Sequence, residues 1–251
     1  MRKTLNLTLG IPMYNSARWL PNLLRSLRAQ SILPSEIIFL DDASPDRSRD
    51  IAEDFMWENP EMNIQVRRNE KNLGIAGSYN ALASLATTPW IQIMDADDFF
   101  PGEFFAFLEK HTVEDVVAIV TSMRSNITAI SLLNVLFAWL IPTTLPKFLP
   151  MLGSLAARGG TIYSSRLLKA HPFIDPLFDG SDLIHFYEFR QLGKCIYEPR
   201  AKVFYVNHSA SRTNTIRDDT YSNLLRKRNE IPFTYYIDYL LRKKIFSFIR
   251  R

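Results

Sequence analysis

Hydrophobic and polar positions alternate over residues 5–11, and the pattern stops at Pro12, which predicts a strand running into a loop. Over 19–30 the period changes. Trp19, Leu20, Leu23, Leu24 and Leu27 recur at helical spacing. A short apolar run over 36–40 ends in Asp41-Asp42 and predicts a second strand. Ser44-Pro45 reads as an N-cap followed by proline at the first helical position, opening a helix over 47–57. Residues 63–67 predict a strand and 75–86 a helix begun after Gly74. Residues 90–94 predict a fourth strand, ending in Asp95-Ala96-Asp97-Asp98. Strands alternating with helices imply parallel β-α-β units.

The second half is less regular. Residues 115–122 resemble a buried strand, and 125–146 contain no charged residue. The apolar run 127–141 falls short of the roughly 20 residues that span a bilayer. We read it as a buried or interfacial helix, with a single span as the alternative. Residues 161–164, a helix near 182–192 and an extended stretch over 195–206 complete the body.

Composition narrows the classes. With 47% hydrophobic and 22% charged residues in 251, wholesale disorder is excluded, and the length suits one large α/β domain with or without an appendage. A multi-span membrane protein is excluded too, since only one stretch approaches spanning length. The single cysteine, Cys195, excludes an internal disulfide framework and a multi-cysteine zinc site. A reducing, cytosolic setting is expected, as no signal peptide is visible. The net charge of +4 is uneven. Residues 221–251 hold eight Lys/Arg against Glu230 and Asp238, so that segment carries +6 and the preceding 220 residues −2. Such asymmetry suggests an anionic surface as the tail's partner.

In a parallel sheet the ligand lies beyond the carboxyl ends of the strands. Three polar clusters fall at such ends, residues 12–15, 41–46 and 95–98. An Asp-x-Asp directly after a hydrophobic strand can turn two carboxylates toward one hard cation such as Mg²⁺ or Mn²⁺. We therefore favour a metal site at Asp95 and Asp97 over a solvated acidic turn. A strand-end Asp such as Asp41 or Asp42 can accept hydrogen bonds from a base or from ribose hydroxyls. Ser44 and Asp46 fit capping of the next helix.

Four motifs now stand together: Ile11-Pro12-Met13-Tyr14-Asn15, DDASPDRS over 41–48, NEKNLGIAGSYN over 69–80 and DADD over 95–98. In this order and rough spacing they resemble the family-2 glycosyltransferases of the GT-A fold, across about the first hundred residues. The resemblance implies an α/β, Rossmann-like architecture with a mostly parallel central sheet flanked by helices. It also implies a nucleotide-sugar donor (UDP first, dTDP second), a divalent metal (Mn²⁺ or Mg²⁺) and inversion at the anomeric carbon. On matching positions, Pro12, Tyr14 and Asn15 would form the loop beside the nucleoside. Asp42 would bind uracil or ribose, with Asp41 supporting it. Lys71 and Asn72 would line the nucleotide pocket, and Gly74 would allow close backbone approach. Asp95 would contact ribose or a metal-bound water, and Asp97 would ligate the metal. Further on, the family usually shows a Glu-Asp pair opening a helix, then an Arg and a Gly. Here Gly180-Ser181-Asp182 is followed by Arg190 and Gly193, with Ser181 in place of the Glu. Asp182 holds the catalytic-base position, with Asp175 and Asp179 as rivals. His208 matches a metal-ligating histidine, and Arg212 would meet the diphosphate.

Residues 1–215 are thus expected to form the GT-A domain, with 1–110 as the nucleotide-sugar-binding half and 111–215 as the acceptor-binding half. Residues 216–251 would form a basic, aromatic helical tail, either lying on anionic lipid or packed on the body. Together with 127–141 it could hold a lipid-linked saccharide acceptor. That suggests a cytoplasmic enzyme, peripheral at the inner membrane face, in bacterial cell-surface polysaccharide assembly. No nucleic-acid partner is expected, for want of a recognised module. Two rivals stand beside this reading. A nucleotidyltransferase would usually want a glycine-rich loop after the first strand, where PMYNSARW has no glycine. A non-catalytic sugar-nucleotide-binding or scaffold protein would have little need of Asp42, Asp95, Asp97 and Asp182 together.

Overall fold

The alternating segment at the N-terminus forms β1 (Lys3–Met13), and the helical-period segment after it forms α1 (Leu20–Arg28). There follow β2 (Ile32–Asp41), α2 (Ser48–Glu58), β3 (Ile64–Arg68), α3 (Gly74–Leu85), β4 (Trp90–Ile93) and β5 (Val116–Ser125). The last described elements are β6 (Thr161–Ser164), α4 (Ser165–Ala170), α5 (Ser181–Gln191) and β7 (Lys194–Tyr205). The structure, a computed structural model, describes residues 2–111, 116–126, 158–173 and 181–209. The expected segment 127–141, the rival bases Asp175 and Asp179, Arg212 and the tail 216–251 lie outside the described residues.

Among the described residues, seven strands join one sheet in the order β3-β2-β1-β4-β6-β5-β7. Neighbours pair in parallel except around β6, which runs antiparallel to both β4 and β5. The six other strands therefore present their carboxyl ends at one edge. The expected mostly parallel sheet flanked by helices is what forms, with one reversed strand inside it.

Helices cover both faces because β2 is apolar on both sides. Ile37 and Phe39 pack with Leu20, Leu23, Leu27 and Phe55 from α1 and α2. Ile38 and Leu40 lie on the other face, in a second core cluster that runs through Tyr79 and Leu82 of α3 to Phe186 and Phe189 of α5. Gly10 of β1 lets α3 come close, since a Cβ there would lie 3.2 Å from Leu82 Cδ2. At the opposite edge of the sheet, buried Glu36 accepts hydrogen bonds from Thr8 Oγ1 and from the Thr87 backbone and hydroxyl. That end of the sheet is thereby latched by satisfied polar groups.

One local expectation is corrected. Ser44 does not cap α2, whose N-cap residue is Arg47 and makes no side-chain cap bond. Asp46 instead accepts from the Ser48 amide at 3.1 Å. Ser44 is drawn toward the β1 loop, where its Oγ accepts from the Asn15 amide at 3.2 Å. The cause lies in the turn: Ala43 sits at φ 58°, and the Ser44 amide is held by Asp41 Oδ1.

Candidate active site

The carboxyl ends of β1, β2 and β4 open into a cavity of about 560 Å³. Its walls come from the β1 loop (Pro12 to Ser16, with Trp19), from Asp42 after β2 and from the start of α3 (Asn72, Gly74, Ile75, Ser78, Tyr79). Asp95, Ala96 and Asp97 after β4 and Tyr205 and His208 after β7 close it. Sequence positions nearly two hundred residues apart thus share one crevice.

The β1 loop is held by the β2 loop. The Ser16 amide donates to Ser48 Oγ at 2.7 Å and the Ala17 amide to Asp46 Oδ2 at 2.9 Å. Asn15 takes a left-handed conformation, φ 53°, which asparagine tolerates better than most residues. Pro12, Tyr14 and Asn15 line the cavity, and Tyr14 is 54% exposed.

Asp42 is buried, and its carboxylate is organised by the start of α3. Oδ1 accepts from Asn69 Nδ2 and the Leu73 amide, each at 2.8 Å, and Oδ2 from the Gly74 amide at 3.0 Å. The carboxylate therefore satisfies helix-start donors and complements the helix dipole while lining the cavity. Gly74 adopts φ 72°, a backbone that a side chain would strain, and a Cβ there would meet nothing within 4 Å. Its need for glycine is conformational. Asn72 lines the cavity and its Oδ1 accepts from the same Gly74 amide at 2.8 Å. Two expected residues stand away from the cavity. Asp41 is fully buried and pairs through Oδ2 with Arg68 at 2.7 Å. Lys71 is exposed and is not among the lining residues.

Asp95, Asp97 and Asp98 bring carboxylate oxygens within 4.8 Å of one another. The buried Tyr79 hydroxyl donates to Asp95 Oδ1. Asp98 Oδ1 accepts from the Val206 amide at 3.1 Å, and Phe99 and Phe204 exchange backbone bonds. These contacts dock the end of β7 on the acidic loop and bring His208 Nε2 to 3.0 Å from Asp97 Oδ2. Burial, followed by the charge of Asp95, holds the Asp97 carboxyl above the ordinary value of 3.8, against the pull of the His208 hydrogen bond. Among the described residues the lining contributes three carboxylates and no lysine or arginine. Carboxylate oxygens with one imidazole suit a hard or borderline divalent cation, and crowded like charge makes such an ion favourable. The residues present fit one.

Asp182 is the second residue of α5, at its N-terminal end, and only its backbone place is described. Arg190 of the same helix is fully buried. Trp19, Ser78, Tyr79 and Tyr205 line the site without having been singled out as site residues from sequence. Trp19 had the spacing of a core helix residue, yet α1 starts one residue later and its ring stacks on His208, centroids 4.0 Å apart at 18°. The signal available was its place next to the loop after β1.

The profile of Glycosyl transferase family 2 matches residues 8–150. The chain is similar to the processive diacylglycerol beta-glycosyltransferase of Mycoplasma pneumoniae, 32% identical over 116 residues that make up 45% of this chain and 34% of the relative. In fold it is similar to S. aureus TarS 1-349 in complex with UDP-GlcNAc, at TM-score 0.65 and 19% identity over 87% of this chain and 64% of that one. It is also similar to the mannosyltransferase PcManGT from Pyrobaculum calidifontis in complex with GDP-Man and Mn²⁺, at TM-score 0.62 and 17% identity, covering 82% and 58% of the two chains. The match thus spans about a third of the curated relative and under two thirds of either solved chain.

Proposed function

Because the chain belongs to glycosyl transferase family 2, we propose that it moves a sugar from a nucleoside-diphosphate sugar, a UDP-sugar first, to a hydroxyl acceptor with inversion at the anomeric carbon. The observation that carries this reading is the meeting of Asp42, Asp95, Asp97 and His208, from three separate strand ends, in one cavity of ligand size. UDP-GlcNAc bound to TarS supports the donor class. The diacylglycerol in the name of the Mycoplasma relative supports a lipid-linked acceptor.

In this reading residues 1–110 hold the donor and 111–215 the acceptor. Asp42 and the β1 loop orient the nucleoside, with the exposed Tyr14 ring offering a flat face to the base. Asp41 supports that pocket from behind through its turn bond to Ser44. Asp97 and His208 would ligate a divalent cation, Mn²⁺ or Mg²⁺, with Asp95 beside them. That ion supplies positive charge where the departing diphosphate gains negative charge. Tyr79 keeps Asp95 turned into the cavity. Asp182, on motif position, takes the proton of the attacking acceptor hydroxyl. Arg212 is assigned to the diphosphate. The basic residues of 216–251 favour contact with an anionic membrane surface, and on that ground we assign the enzyme to the cytoplasmic face in surface-glycan or glycolipid assembly. No helix among the described residues is long and apolar enough to cross a membrane.

The test is slow hydrolysis of a nucleotide-sugar panel by the full chain, with Mn²⁺ or EDTA, beside Asp97→Ala. Release of one nucleoside diphosphate that needs both metal and Asp97 is expected. Neither binding nor release across the panel would overturn the reading and favour a scaffold.

A further inference from the structure

The imidazole of His208 has to hold one orientation if its Nε2 is to serve a cation beside Asp97. His208 lies three residues beyond β7, in a stretch without regular secondary structure, so backbone geometry alone does not fix the ring. Its side chain is only 14% exposed, and part of that enclosure is a stacked tryptophan. The indole of Trp19 lies 4.0 Å from the imidazole centroid, 18° from parallel. Trp19 is itself held firmly. Its amide donates to the Ser16 carbonyl at 2.9 Å, and Ser16 is bonded to Ser48 of α2. The Arg18 guanidinium lies over the indole, 4.9 Å from its centroid. The backbone that carries the ring is thus tied to α2, and the ring itself is flanked by His208 and Arg18.

We propose that Trp19 is a positioning residue for the cation site, its indole backing the His208 imidazole and holding Nε2 toward Asp97. This rests on the reading of Asp97 and His208 as cation ligands. The role differs from a nucleotide contact in where its effect shows. A residue that orients a ligating imidazole sets affinity for the bare ion, whereas a residue that only touches the nucleotide leaves that affinity alone. Metal-ligating histidines depend on such outer contacts, whose removal typically weakens metal binding by about 10- to 100-fold. A flat ring is the property needed, so phenylalanine should serve where leucine does not.

The experiment is titration of the full chain with Mn²⁺ alone, free ion followed by electron paramagnetic resonance, with no nucleotide present. Wild type is compared with Trp19→Leu, Trp19→Phe, His208→Ala and the double variant that combines W19L with H208A. W19L is expected to weaken Mn²⁺ binding by about tenfold, W19F by much less, and W19L to add nothing on top of H208A. Melting curves of each variant establish that the fold is intact, and Trp19 lies outside the buried core, so W19F gives a folded comparison in any case. If H208A weakens binding while W19L does not, the positioning role is overturned and the ligand reading stands. If H208A itself leaves Mn²⁺ affinity unchanged, the ligand reading of His208 falls and the proposal with it. Additive losses in the double variant would also overturn it, since Trp19 would then act by another route.

Discussion

Replacing Asp97 by asparagine should make the metal-free protein more stable while removing its response to metal. The direction follows from the site's own charge. A carboxyl whose folded pKa lies above its unfolded value favours folding while protonated, and that contribution is lost as pH rises through the folded value. Asp97 is such a group, raised above 3.8 by burial and then by Asp95, so at neutral pH without metal its charge opposes folding. Carboxylate oxygens within 4.8 Å of one another repel by at least about 3 kcal/mol at an effective dielectric near 20, before solvent screening reduces it. Asparagine keeps an oxygen for His208 but gives up a charge-assisted hydrogen bond, about 1 kcal/mol. The net gain is on the order of 1 kcal/mol, or roughly 2–4 °C in Tm for a chain of this size. Mn²⁺ at about a hundred times its Kd should raise the wild-type Tm further, by the equivalent of roughly 2.7 kcal/mol. The assay is differential scanning calorimetry of wild type and D97N in EDTA and in Mn²⁺. A fall in the EDTA Tm of D97N, or an undiminished Mn²⁺ shift in that variant, would refute the account.

Tyr79→Phe removes the donor to Asp95 without opening a cavity; the lost charge-assisted bond, about 1.5 kcal/mol, should lower Tm by roughly 3–6 °C, and donor hydrolysis should drop roughly tenfold as Asp95 loses its orientation. Glu198 is buried, which disfavours its charge, yet bonds from Arg200 and His111 bring its pKa from 4.5 down to about 2. A lowered pKa adds stability that is present above 4.5 and lost as pH falls toward 2, so E198Q should cost about 2–3 kcal/mol at pH 7. In melts repeated at descending pH, that gap should close below pH 4.5. Burial pushes the Cys195 thiol up to about 12, so a disulfide reagent should find no reactive thiol in the native chain and one in guanidinium.

The first hundred residues of the fold were legible because each of their elements has a single period. The run over 5–11 alternates and becomes β1, and the leucines of 20–27 share one stripe and become α1. Boundaries were less so. β2 begins at Ile32 and passes through Pro34, which pattern reading excludes from a strand. Pro34 is admitted because it pairs only with Leu5 of β1, while β3 joins β2 from Ile37 onward, so its missing N–H faces no partner strand. β6 was harder. Four residues carry no topology, and its reversed place between β4 and β5 depends on partners far away in sequence. A local trace of it does exist at Gln92, a polar residue inside WIQIM, fully buried and donating to the Gly159 carbonyl just before β6.

The same distinction separates the site residues that motifs reveal from those they hide. Carboxylates at strand ends are visible because burying a charge is costly, so their placement after hydrophobic strands demands a reason. Trp19 and Tyr79 lack that signature. Each sits at a helical spacing that apolar packing explains on its own, and Tyr79 does pack in the α3 core with 1% exposure. Their second roles depend on where the chain returns. The bridge between Phe99 and Phe204 and the bond from the Val206 amide to Asp98 bring β7 to the acidic loop. Only then does Trp19 meet an imidazole. A residue whose partner arrives nearly two hundred positions later carries no local mark of it, so an aromatic ring next to a strand-end loop is worth testing as part of the site before it is assigned to the core.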